Sequence, residues 1–215
     1  MRVAVVDSGI AAGHPHVGDV AEGVSLVEGV SDTLDRMGHG TAVAAVIREK
    51  APGAELVPVK VFHRALTTDA RTLALAIRWA AENSCRLINL SLGTANADHA
   101  GALESAIAFA AECGALVIAA YESDGTRWMP GSLAGVVAVL GDGAIDRATV
   151  SVARSDAGVP RFRASIYPRP IPGVPRDRNL SGVSFAVANV TGVLARLDVE
   201  AEWPSHDELG VLLAR

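Results

Sequence analysis

Short apolar runs, each followed by a segment of helical periodicity, recur along this 215-residue chain and leave few folds open. "RVAVV" (2–6), "AELVPVKVF" (54–62), "RLINLSLG" (86–93), "ALVIAA" (115–120) and "GVVAVLG" (135–141) show little polar alternation. Each reads as a strand covered on both faces. Between them lie "GHGTAVAAVIREK" (38–50), stopped by Pro52-Gly53, and "DARTLALAIRWAAENS" (69–84), with Leu73, Ile77, Ala80 and Ala81 at helical spacing. "ADHAGALESAIAFAAECG" (97–114) follows, with Gly114 as its expected terminator. This alternation predicts an α/β fold, a mostly parallel sheet with helices on both faces. "RFRASIYPRPIPGVPRDRNLSG" (161–182), rich in proline and arginine, reads as a loop; Ser184 then opens a helix to about Leu197, and "SHDE" (205–208) has capping-box spacing.

The bulk properties exclude several function classes. The length fits one domain over residues 1–215. The formal net charge is −5 with no basic patch, which argues against nucleic acid as a partner. No apolar run approaches the length of a membrane span, and the first residues reach Asp7 without the pattern of a secretory signal. A cytoplasmic location is expected. Cys85 and Cys113 lie far apart and outside any CxxC pair, so free thiols are expected rather than a disulfide, and a zinc site has no support. No cofactor is implied.

In open α/β sheets ligands bind at the carboxyl ends of the strands. The first strand delivers Asp7 there, the third Ser91-Leu92-Gly93 and the fourth Tyr121-Glu122, while His39 starts an early helix and Ser184 a late one. Each has a bland reading: Asp7-Ser8-Gly9 a turn, His39 one of six histidines in a loop capped by Thr41, Ser184 a helix cap. Together they supply a carboxylate, a base and a hydroxyl, the set that a serine nucleophile requires.

On these residues the chain resembles the subtilisin-like serine proteases, or subtilases. "VAVVDSGI" is similar to the family's aspartate motif, "GHGTAVAAVI" to its histidine motif and "GVSFAVANVTG" to its serine motif; "VPVKVF" and "INLSLG" match strands between them. The resemblance implies a three-layer subtilisin-like fold and a serine endopeptidase without cofactor or metal. In it Ser184 attacks a peptide carbonyl, His39 takes the proton and Asp7 holds the imidazole. Ser91, Leu92 and Gly93 would pair with an extended peptide or protein substrate. Val183, Ala188, Asn189 and Ala42 depart from family preferences. The largest departure is Tyr121-Glu122, standing where the family has a Gly-Asn pair whose amide serves the oxyanion hole. A carboxylate there implies a weakened hole and narrow specificity. The resemblance also leads us to expect no pro-segment, no calcium cluster and a short tail after Ser184 that leaves room for a protein partner. Two alternatives share these residues: a peptide-binding pseudo-protease and a non-peptidase serine hydrolase, an esterase or acyltransferase.

Overall fold

Five apolar runs become the buried centre of a sheet, as their lack of alternation requires. The computed structural model describes residues 1–154, 158–197 and 202–213. In chain order the strands are β1 (Arg2–Asp7), β2 (Val24–Ser25), β3 (Glu55–Lys60), β4 (Leu87–Leu90), β5 (Leu116–Ser123), β6 (Thr126–Arg127), β7 (Val136–Asp142), β8 (Val150–Arg154) and β9 (Pro160–Ser165). The helices are α1 (His39–Lys50), α2 (Ala70–Glu82), α3 (Ala100–Glu112), α4 (Val183–Leu194) and α5 (His206–Leu213). The sheet order is β2-β3-β1-β4-β5-β7-β9-β8, with β6 on β5. All pairings are parallel except β5–β6 and β8–β9.

Alternate residues of the same strands feed two cores. Val3, Val5, Ile118, Val137 and Val139 pack with α1 and α4 on one face. Ala4, Val6, Val57, Val59, Ile88 and Leu90 pack with α2 and α3 on the other. This is the three-layer α/β arrangement that the alternation and the resemblance both predict.

Local signals explain the element ends. Asp69 caps α2 by accepting from the Thr72 N–H at 2.8 Å. Ser205 and Glu208 form the expected capping box, the Glu208 carboxylate accepting from the Ser205 N–H at 2.8 Å. Gly114 has φ +73°, the left-handed residue expected after α3. Both cysteines are free, Cys85 buried and Cys113 exposed. The stretch from Arg161 is not all loop: β9 occupies its first residues and pairs antiparallel with β8, which the sequence reading did not separate. Near the sheet edge these strands alternate buried Phe162 and Ala164 with outward Arg161 and Arg163. Searching for continuous apolar runs passes over that pattern.

Helix α1 meets the end of β1 almost without a gap. A Cβ on Gly40 would press into the Gly9 carbonyl oxygen and come within 3.1 Å of Asp7 Cβ. Alanine favours a helix over glycine by at most ~1 kcal/mol; overpacking costs about 1–3 kcal/mol. Sterics therefore win. Gly40→Ala is expected to lower the free energy of unfolding in urea by about 1–2 kcal/mol; equal or greater stability would show that α1 can retreat freely from β1.

Candidate active site

The first strand ends in a buried carboxylate held on several sides. Asp7 has no exposed surface, and its Oδ1 accepts from the Ser8 N–H at 2.7 Å. His39, the first residue of α1, places Nδ1 at 2.8 Å from Asp7 Oδ1 and 3.0 Å from Oδ2. A carboxylate only accepts, so Nδ1 carries the hydrogen and Nε2 is left for the cavity in front of the ring. Phe185 packs behind the imidazole, ring centroids 5.7 Å apart.

A polar knot that the sequence reading missed fixes this pair. Asp35 accepts from Ser8 Oγ (2.8 Å), the Met37, Gly38 and Thr41 N–H groups (2.9, 2.9 and 2.8 Å) and Thr41 Oγ1 (2.6 Å). Ser8 Oγ in turn accepts from the Gly40 N–H at 3.0 Å. Asp35 thus does the capping expected of Thr41; the cap residue itself, Gly38, offers no side chain. Lys60, fully buried and in register with Asp7 across β1–β3, donates to the Ser8 and Leu34 carbonyls.

Ser184 is the second residue of α4, so it is not the cap, which is Gly182. Its hydroxyl donates to the Ser91 carbonyl at 3.3 Å. A buried chain supports that meeting point: Thr191 Oγ1 donates to Asn89 Oδ1 (2.9 Å), and Asn89 Nδ2 donates to Ser91 Oγ (3.0 Å). Asn189 Nδ2 reaches the Ser165 carbonyl at 2.9 Å, tying α4 to the end of β9.

One cavity of about 240 Å³ brings the expected residues together: His39, Ser91, Leu92, Gly93 and Ser184, along with Phe62, Leu66, Ala120, Ser123, Trp128 and Val183. Tyr121 and Glu122 do not line it. Tyr121 is buried, its hydroxyl accepting from Arg161 Nη2 at 2.7 Å and its ring stacked under that guanidinium at 3.8 Å. Glu122 is exposed. The cause is a register shift in the β5–β7 pairing between Ala120 and Glu122. An extra residue in one strand inverts the alternation beyond it, so Ala120 and Ser123 face the cavity where simple alternation would bring Ala120 and Glu122. Nothing in the sequence marks that bulge. Gly93 is confined by a neighbour within the protein: a Cβ there would lie 2.5 Å from the Met129 carbonyl oxygen. Among the described residues no cluster of three metal-ligating side chains occurs, and no helix is long and apolar enough to cross a membrane.

Burial alone would lower the His39 pKa, but the Asp7 hydrogen bond and the charges of Asp7 and Asp35 outweigh it, and the net shift is upward from 6.5. An NMR titration of the His39 ring should give a midpoint above that of an ordinary histidine. Asp7→Asn removes the carboxylate charge, leaves at most a weaker neutral hydrogen bond and keeps the burial, so its midpoint should fall below the wild-type one; an unchanged midpoint would show that the pair does not control the imidazole.

Comparison with known proteins bears on the family and the fold. Residues 1–158 match the model of the Subtilase family. The chain is 33% identical over 224 residues to the thermostable alkaline protease of Halalkalibacterium halodurans, covering 95% of this chain and 58% of that protein. The chain thus spans little more than half the length of this relative. Among solved structures, a lanthipeptide protease superposes with TM-score 0.75 at 20% identity, covering 99% of this chain and 78% of the other, a likeness of fold. A prenylagaramide maturation protease superposes with TM-score 0.65 at 30% identity, covering 91% and 74%.

Proposed function

The chain belongs to the subtilase family, and from that premise we propose that it is a serine endopeptidase in which Ser184 is the nucleophile, His39 the general base and Asp7 the residue that orients the imidazole. The observation that carries this reading is the Asp7–His39 pair at 2.8 Å opening onto the cavity that Ser184 also lines. Oriented base and nucleophile at one cavity are the parts that acyl transfer needs. To pass its proton on, Ser184 Oγ exchanges the Ser91 carbonyl for His39 Nε2; catalytic hydrogen bonds commonly tighten only with substrate bound. The orphan N–H groups in the first turn of α4 point donors toward the developing oxyanion.

Ser123 supplies the second donor in this reading, since of the two β5 residues on the cavity wall, Ala120 and Ser123, it is the one with a hydroxyl. In the free protein its hydroxyl donates to Asp124 Oδ2 at 2.8 Å, so it must be turned by the substrate. The hole is therefore incomplete at rest, which favours a dedicated substrate over general digestion. The 30% identity to a prenylagaramide maturation protease supports the same narrow role, a peptide or protein cut at a defined place.

A fluorophosphonate should label wild type and not Ser184→Ala, and peptide cleavage should vanish in Ser184→Ala and His39→Ala, the double variant being no worse than either single. Labelling that persists in Ser184→Ala, or cleavage that does, overturns the assignment. Labelling with ester turnover and no peptide cleavage would favour an esterase or acyltransferase. Ser123→Ala should cost about tenfold in kcat, the equivalent of one hydrogen bond of ~1.4 kcal/mol. Glu122→Asn should change kcat by less than about twofold, as expected of a surface substitution; a large gain would place the carboxylate at the oxyanion after all.

A further inference from the structure

We propose that Trp128 sets the substrate preference of this site, closing it to all but a small, uncharged side chain on the acyl side of the scissile bond. The inference rests on the endopeptidase reading above and adds the class of residue recognised.

The edge of the sheet gives the cavity its order. His39 and Phe62 stand beyond β1 and β3, Ser91 to Gly93 continue β4, and Ala120 and Ser123 end β5, with Trp128 closing that side. A peptide laid along Ser91–Gly93 therefore has one set of side chains toward His39, Phe62 and Leu66 and another toward Ala120, Ser123 and Trp128, with about 240 Å³ shared between them. That total is below the roughly 300–1,000 Å³ of pockets for small ligands.

Trp128 cannot easily back away. Its N–H donates to the Tyr121 carbonyl at 2.9 Å, and its carbonyl accepts from the Ser132 N–H at 2.9 Å. The next residue, Met129, exchanges both backbone hydrogen bonds with Thr94, at 2.8 and 2.9 Å. The wall is also tight against the strand, since a Cβ on Gly93 would be 3.3 Å from Trp128 Cβ. Among the described residues that line the cavity only His39 is ionisable, and it is engaged by Asp7. An aspartate or glutamate side chain entering this space would lose water and meet no cation among the lining residues, and a lysine or arginine would find a carboxylate only beyond the wall, at Asp124, which already accepts from Ser123. An aromatic one would meet the indole.

The test uses peptidyl diphenyl phosphonates that differ only in that residue (Ala, Leu, Phe, Lys or Glu), with labelling rates read on the intact protein beside a fluorophosphonate that carries no side chain. The wild type should react with the Ala compound at least about tenfold faster than with Phe, Lys or Glu, within the range of pocket discrimination. Trp128→Gly should shift the Phe-to-Ala ratio toward Phe by about tenfold or more, and Trp128→Leu should shift it less. A wild type that favours Phe or a charged residue overturns the inference whether or not the variants fold, as does an unchanged ratio in folded Trp128→Gly. In those cases fluorophosphonate labelling of Ser184 leaves the endopeptidase reading standing; no labelling by any compound removes both.

Discussion

The arrangement of the site depends on how closely α1 can approach the end of β1. His39 is the first residue of that helix and Asp7 the last of that strand, so the hydrogen bond between them exists only if two backbones nearly touch. Gly40 removes the side chain that would hold them apart. Asp35 and Ser8 then close the gap with hydrogen bonds, satisfying amide groups at the start of α1 that no intrahelical carbonyl could reach. One half-buried carboxylate, Asp35, therefore does the work of several caps, and it does so near the imidazole whose charge it also influences.

The other half of the cavity is placed by different means. Ser184 is brought to Ser91 by α4, whose inner face is buried along nearly its whole length. Inside that apolar face, Thr191 and Asn89 form a polar link from α4 to β4. Buried polar groups of this kind are costly unless paired, and the pairing specifies one register of helix on sheet. β5 adds a bulge, and with it Ser123 rather than Glu122 turns inward. A one-residue irregularity thus changes which chemical group lines the cavity that Ser184 shares, without altering the fold.

What was legible in the sequence follows from how each feature is encoded. Strands buried on both faces announce themselves as apolar runs, and helices through spacing and caps, so the central sheet and the positions of Asp7, His39, Ser91 to Gly93 and Ser184 could be read directly. β8 and β9, with alternating faces near the sheet edge, were hidden by their arginines. The bulge at Tyr121 was illegible because it is decided by how β5 pairs with β7, and the aromatic residue it displaces is stabilised by Arg161, forty positions away. Asp35 and Lys60 carried no local signal either; their importance arises from partners that only the folded chain brings to them.

The charges gathered around His39 bear on why these particular residues are brought together. Asp7 and Asp35 are opposed by Lys60, whose own pKa is lowered first by desolvation and is partly restored by the charge of Asp35. With His39 neutral the group carries an excess negative charge, and protonation of the imidazole cancels it. A proton leaving Ser184 for His39 in the proposed reaction therefore moves the interior toward electrical balance, and this favours the imidazolium just when the serine oxygen attacks. The same bias holds a larger share of His39 protonated at neutral pH, where it cannot act as a base. The electrostatics that stabilise the transition state thus shift the working range of the site toward higher pH, and the two effects have a single origin in the carboxylates behind the ring.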